Sequence, residues 1–330
     1  MERLTGLYLD RNKMTRSLQK IQIGISSCLL GEQVRYDGGH KNNSYIVQTL
    51  GQYFEFHPFC PEVSIGLGVP RETIRLVEQQ ERILCVGTKT PELDVTEKLI
   101  QCANEQQSWQ QSLCGYILKK DSPSCGMERV KVYRNEQPQK IGVGLYAKQM
   151  MSNFPHLPIE EEGRLGDPVL RENFIHRVFI FQRWKQMLSQ NVKAAAITEF
   201  HARHKLILMS HDQHQYRRLG QLVSTISQWD IGEFCARYLT TLMTILKIPA
   251  TRKNHVNVLQ HIQGYLKRDL DKEDKKELSE TIEQYRSGLL PLIVPITLLR
   301  HHFRKCPNEY INNSYYMAPH PAELMLLNDV

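Results

Sequence analysis

No stretch of this 330-residue chain is apolar enough to span a bilayer. The longest apolar run, Leu289 to Leu299, is interrupted by Pro291 and Pro295 and falls well short of the ~20 residues a span needs. The first twenty residues are basic without an apolar core, so no secretory leader is read there. Cysteine is sparse: eight residues, too few for a disulfide scaffold, and no C-x-x-C pair occurs. These absences argue against membrane and secreted classes and favour a reducing, cytoplasmic setting. What is present suits a globular protein, with 41% hydrophobic and 23% charged residues. The length fits two domains of ~100–200 residues, each able to bury a core.

Charge is unevenly spread. Up to Gly166 there are 20 basic and 19 acidic residues; from Asp167 onward there are 22 and 16, with ten of the 13 histidines. An excess confined to one part points to an anionic partner there, nucleic acid being the usual one, or to a merely basic surface.

The hydrophobic pattern changes at the same place. Before it, Ile21–Ser26, Phe54–Phe59, Ile83–Val86 and Tyr116–Lys119 read as strands, and about 43–53, 94–111 and 144–153 as helices, with Asp94 as an N-cap. Strands alternating with helices predict an α/β domain with a mainly parallel sheet. After it, apolar residues recur at three- and four-residue spacing. Helices are expected over about 168–189, 194–209, 212–228, 232–247, 252–266, 272–287 and 296–304, an all-α domain. The expected organisation is a basic arm over 1–20, an α/β domain over 21–163 and a helical, basic domain over 167–330, with Leu157 to Gly163 breaking both patterns.

Three cysteines share one setting. Cys28, Cys60 and Cys125 each follow a predicted strand, and ligands of open parallel sheets collect beyond the strands' carboxyl ends. Three such thiolates suit zinc or an iron–sulfur cluster. Structural zinc takes four ligands, often in close pairs, whereas three cysteines without a fourth fit a [4Fe–4S] cluster with one open iron. Such an iron is a soft Lewis acid that favours sulfur. Cys85, Cys102, Cys114, Cys235 and Cys306 lack this setting and read as small buried hydrophobes.

The segments Ser27-Cys-Leu-Leu-Gly31 with Val34-Arg-Tyr-Asp-Gly38, Phe59-Cys-Pro-Glu62 with Gly66-Leu-Gly-Val-Pro-Arg71, and Leu118-Lys-Lys-Asp-Ser-Pro-Ser-Cys-Gly126 resemble the TudS-type thiouracil desulfidase domain. Phe200-His-Ala-Arg-His-Lys205, Leu208-Met-Ser-His211, His255 to His261 with Gly264-Tyr-Leu-Lys267, and Tyr285 to Pro295 resemble a helical family often fused to it. Together they resemble the bacterial tRNA 4-thiouridine desulfidases. The resemblance implies a [4Fe–4S] cluster on Cys28, Cys60 and Cys125. It also implies a thiocarbonyl sulfur bound by the free iron and released as sulfide, Glu62 as acid/base, and Ser122 as catalytic serine. The residues themselves do not separate Ser122 from Ser124, either of which could instead cap a turn. The alternative for Glu62 is a carboxylate that bonds loop amides or pairs with Arg71. Arg35, Tyr36 and Lys119 could line the base pocket, contact phosphate or form structural ion pairs.

His201 with His204, and His211 with His214, have helical spacing for a metal pair. H-E-x-x-H is absent and no acidic cluster accompanies them. Some are expected to pack or bond within the bundle. Others would join Arg203, Lys205, Arg217, Arg218, Arg252, Lys253, Lys267 and Arg268 on an RNA-facing surface. The leading expectation is desulfidation of 4-thiouridine in tRNA. Desulfidation of free thiouracil or a thionucleoside, and a non-catalytic RNA-binding Fe–S protein, are the rivals.

Overall fold

The computed structural model describes residues 20–321, 324 and 326–328. The basic arm expected over 1–20 lies outside them except for Lys20. Eight strands form among the described residues: β1 (Ile21–Ser26), β2 (Phe54–Phe59), β3 (Ile74–Gln79), β4 (Arg82–Gly87), β5 (Gly115–Leu118), β6 (Val130–Arg134), β7 (Gln137–Gly142) and β8 (Ile159–Glu161). They build two four-stranded sheets. The first, in the order β2-β1-β5-β8, is parallel throughout. Both of its faces are covered, which is why β1 and β5 read as near-continuous apolar runs.

The second sheet, in the order β4-β3-β6-β7, consists of two antiparallel hairpins joined by parallel pairing of β3 with β6. The sequence pattern suggests only its β4 portion, as Ile83–Val86. Its turns lack the usual hairpin signature. Gln80, Glu81, Asn135 and Glu136 adopt φ of 49°, 63°, 49° and 62° where Asn-Gly or Gly-Gly is the common choice. A further correction concerns 157–163. Its prolines and acidic run look like a break, yet Ile159–Glu161 is the fourth strand of the parallel sheet, paired with β5.

The helices of this part are α1 (Pro61–Ser64), α2 (Thr96–Glu105), α3 (Gln107–Gln110) and α4 (Leu145–Asn153). The helix expected over 43–53 is instead a π turn, Tyr45–Thr49, followed by a 3-10 turn, Leu50–Gln52. Asp94 is one residue short of the N-cap position, which Val95 holds, but its carboxylate still accepts the Thr96 N–H at 2.8 Å.

All seven helices expected after Asp167 form: α5 (Pro168–Leu188), α6 (Ala194–His211), α7 (Gln213–Ser224), α8 (Ile231–Lys247), α9 (Arg252–Gly264), α10 (Lys272–Arg286) and α11 (Ile293–Lys305). A short α12 (Glu309–Asn313) follows. Six of these eight starts carry a side-chain cap, and those of α6 and α11 do not. Asp167, Asp212, Asp230, Thr251, Asp271 and Asn308 each accept a first-turn amide, and Pro168 follows Asp167 at N1. No helix among the described residues is long and apolar enough to cross a membrane.

Helix α5 joins the two parts. Phe174, Ile175 and Val178 are fully buried against Ile21, Ile23, Ile25, Leu50, Phe54 and Ile117 of the parallel sheet and its flanking turns. Farther along, Ile180 and Trp184 enter the helical core. Asn173 donates to the Leu246 carbonyl at 2.9 Å and accepts from Arg177 Nε at 2.9 Å. Arg177 in turn reaches the buried carboxylate of Glu160 on β8 at 3.4 Å. The first turns of α5 therefore complete the α/β core. Phe174→Ala should remove about 3–5 kcal/mol of stability, read as a lower midpoint in chemical denaturation. A loss under 1 kcal/mol would contradict this packing.

The histidines of the helical part are largely interior groups. His201 bonds the Tyr238 hydroxyl at 3.1 Å, His204 the Phe200 carbonyl at 2.7 Å, His211 the Ile248 carbonyl at 2.5 Å and His255 the Tyr316 hydroxyl at 2.9 Å. His214, by contrast, is exposed. Burial holds His201 and His211 down to about 4, and His204 and His255 to about 3, from the ordinary 6.5. They are neutral when folded and take up protons near 6.5 when unfolded. Stability is therefore full above about pH 6.5 and is lost as pH falls toward 4, by up to about 1.4 kcal/mol per pH unit for each histidine. Urea midpoints measured between pH 7.5 and 4.5 should fall steeply, and a flat profile would rule this out.

Candidate active site

Parallel pairing places the ends of β1, β2 and β5 on one edge. Cys28 lies on the 3-10 turn Ser27–Leu30 after β1, which closes at Gly31 with φ of 97°, a left-handed conformation suited to glycine. Cys60 follows β2 directly and is the N-cap of α1, whose first residue is Pro61. Cys125 sits in the loop after β5. All three line one cavity of about 290 Å³, together with Glu62, Arg71, Ser122, Ser124 and Lys119. Cys28 and Cys125 are buried and Cys60 is half-buried.

Glu62, in the first turn of α1, is clamped from two sides. Its Oε2 accepts from Arg71 Nη2 at 2.7 Å and Nε at 3.1 Å. Its Oε1 accepts from Ser124 Oγ at 2.6 Å. The two sequence readings of Glu62 are thus compatible in space, since it pairs with Arg71 and also faces the cavity. Ser122 Oγ accepts the N–H groups of Ser124 (3.3 Å) and Cys125 (3.1 Å) and lies 2.9 Å from Ser124 Oγ. The hydroxyl in contact with Glu62 is therefore that of fully buried Ser124, while Ser122 stands one bond behind it. Both serines occur in one tetrapeptide, and only the turn geometry tells them apart.

Backbone approach fixes this loop. A Cβ on Gly144 would lie 2.5 Å from the Ser124 carbonyl, so the start of α4 can press against the loop only as glycine. Behind it, Glu161 of β8 accepts the Met127 N–H at 2.7 Å. This contact was hidden in sequence because an acidic run does not read as a buried strand.

Arg35, Tyr36 and Lys119 all line the cavity. Arg35 lies 3.5 Å from Asp37 and 5.4 Å from the Tyr36 ring centre, and Lys119 pairs with Glu162. The sequence reading passed over Ser26, which is buried at the end of β1 and lines the cavity as well. Of the other cysteines, Cys85, Cys102 and Cys114 are buried, and Cys235 and Cys306 are half-buried against the helical core.

Comparison with known proteins bears on both parts. Residues 23–162 match the family described as 2-thiouracil desulfurase, and residues 205–321 match DUF1722, a protein family of unknown function. YbbK of Bacillus subtilis (strain 168) is 30% identical over 108 residues, covering 31% of this chain and 71% of that protein. YbgA of Escherichia coli (strain K12) is 28% identical over 151 residues, covering 46% of this chain and 89% of that protein. A solved structure described as the [4Fe-4S]-dependent thiouracil desulfidase TudS is 32% identical, covering 45% of this chain and 95% of its own, with a TM-score of 0.36. Through its α/β part, the chain belongs to the thiouracil desulfurase family.

Burial pushes the Cys28 thiol up from 9.0 to about 11, against the pull of the Lys119 ammonium. Burial also raises Cys60 and raises Cys125 further, with Cys60 and Glu62 adding to the rise at Cys125. A shift of two pH units leaves about a hundredfold less thiolate at neutral pH, and the thiolate is the nucleophile. In metal-free protein, Cys28 should alkylate at least about a hundredfold more slowly than a free thiol at pH 8, with the rate still rising toward pH 11. Peptide mass mapping after iodoacetamide treatment checks this, and rapid labelling at pH 8 would contradict it.

Proposed function

We propose that this chain is a [4Fe–4S]-dependent desulfidase that converts 4-thiouridine in tRNA to uridine, with the cluster on Cys28, Cys60 and Cys125. The observation that carries this reading is the gathering of thiols from three strand ends around one cavity, beside a clamped carboxylate. The donor set fits the group, since soft sulfur ligands around a roomy cavity suit a polynuclear cluster. Structural zinc takes four ligands, often in close cysteine pairs, and no fourth cysteine lines this cavity among the described residues. When bound, a cluster with three thiolate ligands offers one iron without a protein ligand, a soft Lewis acid for a thiocarbonyl sulfur.

The protein's own groups supply proton handling. Glu62 takes a proton from the water that attacks the thiocarbonyl carbon, and Arg71 keeps Oε2 occupied so that Oε1 does this work. Ser124 orients Oε1 and Ser122 orients Ser124, a one-directional row of hydroxyls ending on the carboxylate. The proton held on Glu62 then passes to the departing sulfur, and Glu62 takes the remaining hydroxyl proton as the new carbonyl forms and delivers it to the same sulfur. Each turnover consumes one water and releases one hydrogen sulfide, with no net redox change.

The RNA assignment draws on the helical part. Arg217, Arg218, Lys253, Lys267 and Arg268 are exposed and available to phosphates, whereas Arg203, Lys205 and Arg252 are half-buried beside tyrosine rings. The description of the solved relative as a thiouracil desulfidase favours a second reading, in which the free base is the substrate.

Anaerobic, cluster-loaded protein incubated with 4-thiouridine-containing tRNA and separately with 4-thiouracil decides between these by nucleoside and base analysis. Loss of sulfur from the tRNA is expected, and turnover of the free base alone would overturn the tRNA assignment. Alanine at Cys28, Cys60 or Cys125 should abolish bound iron and labile sulfide. Glu62→Gln should keep the cluster yet lose about 10²–10⁴ in turnover. RNA affinity should fall linearly with salt on logarithmic axes.

A further inference from the structure

We infer that Lys119 is a specificity residue, held in place by Glu162, which recognises the oxygen that the substrate base keeps. This rests on the thiobase reading above and adds to it which ring atom is read. Lys119 leaves the end of β5, its backbone N–H bonded to Ser26 Oγ at 3.0 Å. Its ammonium donates to Glu162 Oε1 at 2.5 Å and to the Lys120 carbonyl at 3.0 Å. Glu162 is itself fixed, since its other oxygen accepts the Lys120 N–H at 2.7 Å and its own N–H bonds the Leu118 carbonyl at 3.1 Å.

An ammonium has three N–H donors. Glu162 and the Lys120 carbonyl engage two, so the third is the one open to a ligand in the cavity that Lys119 lines with Cys28, Cys60 and Cys125. The pair is mostly buried, with side-chain exposures of 17% for Lys119 and 10% for Glu162. Only the part of a substrate that enters the cavity can meet it, which for a nucleotide is the base; the phosphates stay outside.

Glu162 pairs with Lys119, and Glu62 pairs with Arg71. With the thiocarbonyl directed to the thiols, the acceptor left for Lys119 is the carbonyl oxygen elsewhere on the ring. A pyrimidine thione without that oxygen would leave the third donor unpaired in a dry site, where the penalty is large.

The test compares uracil with pyrimidin-4-one, which lacks the 2-oxygen, as ligands of the full chain by calorimetry, alongside turnover of 4-thiouracil against pyrimidine-4-thione. Wild type should favour the oxygen-bearing member of each pair about tenfold to a hundredfold, the worth of a charge-assisted hydrogen bond. Lys119→Met should bring both ratios close to one without loss of bound iron, Lys119→Arg should restore part of the preference, and Glu162→Gln should reduce it. Glu162→Gln placed on Lys119→Met should add nothing further. An unchanged ratio in Lys119→Met, or equal binding of the two ligands by wild type, overturns the inference. The binding arm needs no turnover, so a failure of desulfidation itself would show separately.

Discussion

Because β1 pairs in parallel with β2 on one side and β5 on the other, the segments leaving all three strands emerge on one edge of the sheet. Cys28, Cys60 and Cys125 lie just past those ends, as do Glu62, Lys119, Ser122 and Ser124 of the same cavity. An antiparallel neighbour would send one loop to the far edge and dissolve the site. The parallel arrangement requires cover on both faces. The first turns of α5 supply part of it with Phe174, Ile175 and Val178. The helical part is thereby joined to the α/β core through packing, in addition to the Arg177–Glu160 ion pair.

The cavity brings thiols and hydroxyls together with charged side chains, and two ion pairs stand at its wall. Glu62 with Arg71 and Lys119 with Glu162 are each largely withdrawn from water. A lone buried charge would be costly to desolvate, whereas a pair with additional backbone or hydroxyl bonds is tolerated. Such pairs contribute little net stability, and their value lies in holding donors and acceptors in one geometry. Ser124, Gly144 and Glu161 serve the same end from behind. None touches solvent freely, and each limits where the loop after β5 can go.

The helical part follows a different economy. Its histidines are mostly absorbed as neutral interior groups bonded to carbonyls and tyrosine hydroxyls. Its net positive charge therefore rests on exposed lysines and arginines. Those among the motif-bearing residues that stack on tyrosines, such as Arg203 on Tyr315 at 4.2 Å, act as packing groups.

Much of this was legible in the chain itself. Helical periodicity located α5 to α11, since apolar stripes at three- and four-residue spacing are local properties. The three thiols and Glu62 were legible as motifs after strands. The second sheet was not, because its hairpins turn on Gln-Glu and Asn-Glu in left-handed backbone, which carries no glycine signal. Nor was β8, whose acidic residues suit a strand only because Arg164, Arg177 and backbone amides receive them. Sequence alone settled which residue types stand beyond which strands, because the pattern that forms a strand extends over a few neighbours. Only the tertiary structure decided that Ser124 and not Ser122 meets Glu62, and that Glu162 holds Lys119 at the cavity. Those contacts join residues 62 and 43 positions apart, respectively, and depend on packing that no local pattern encodes.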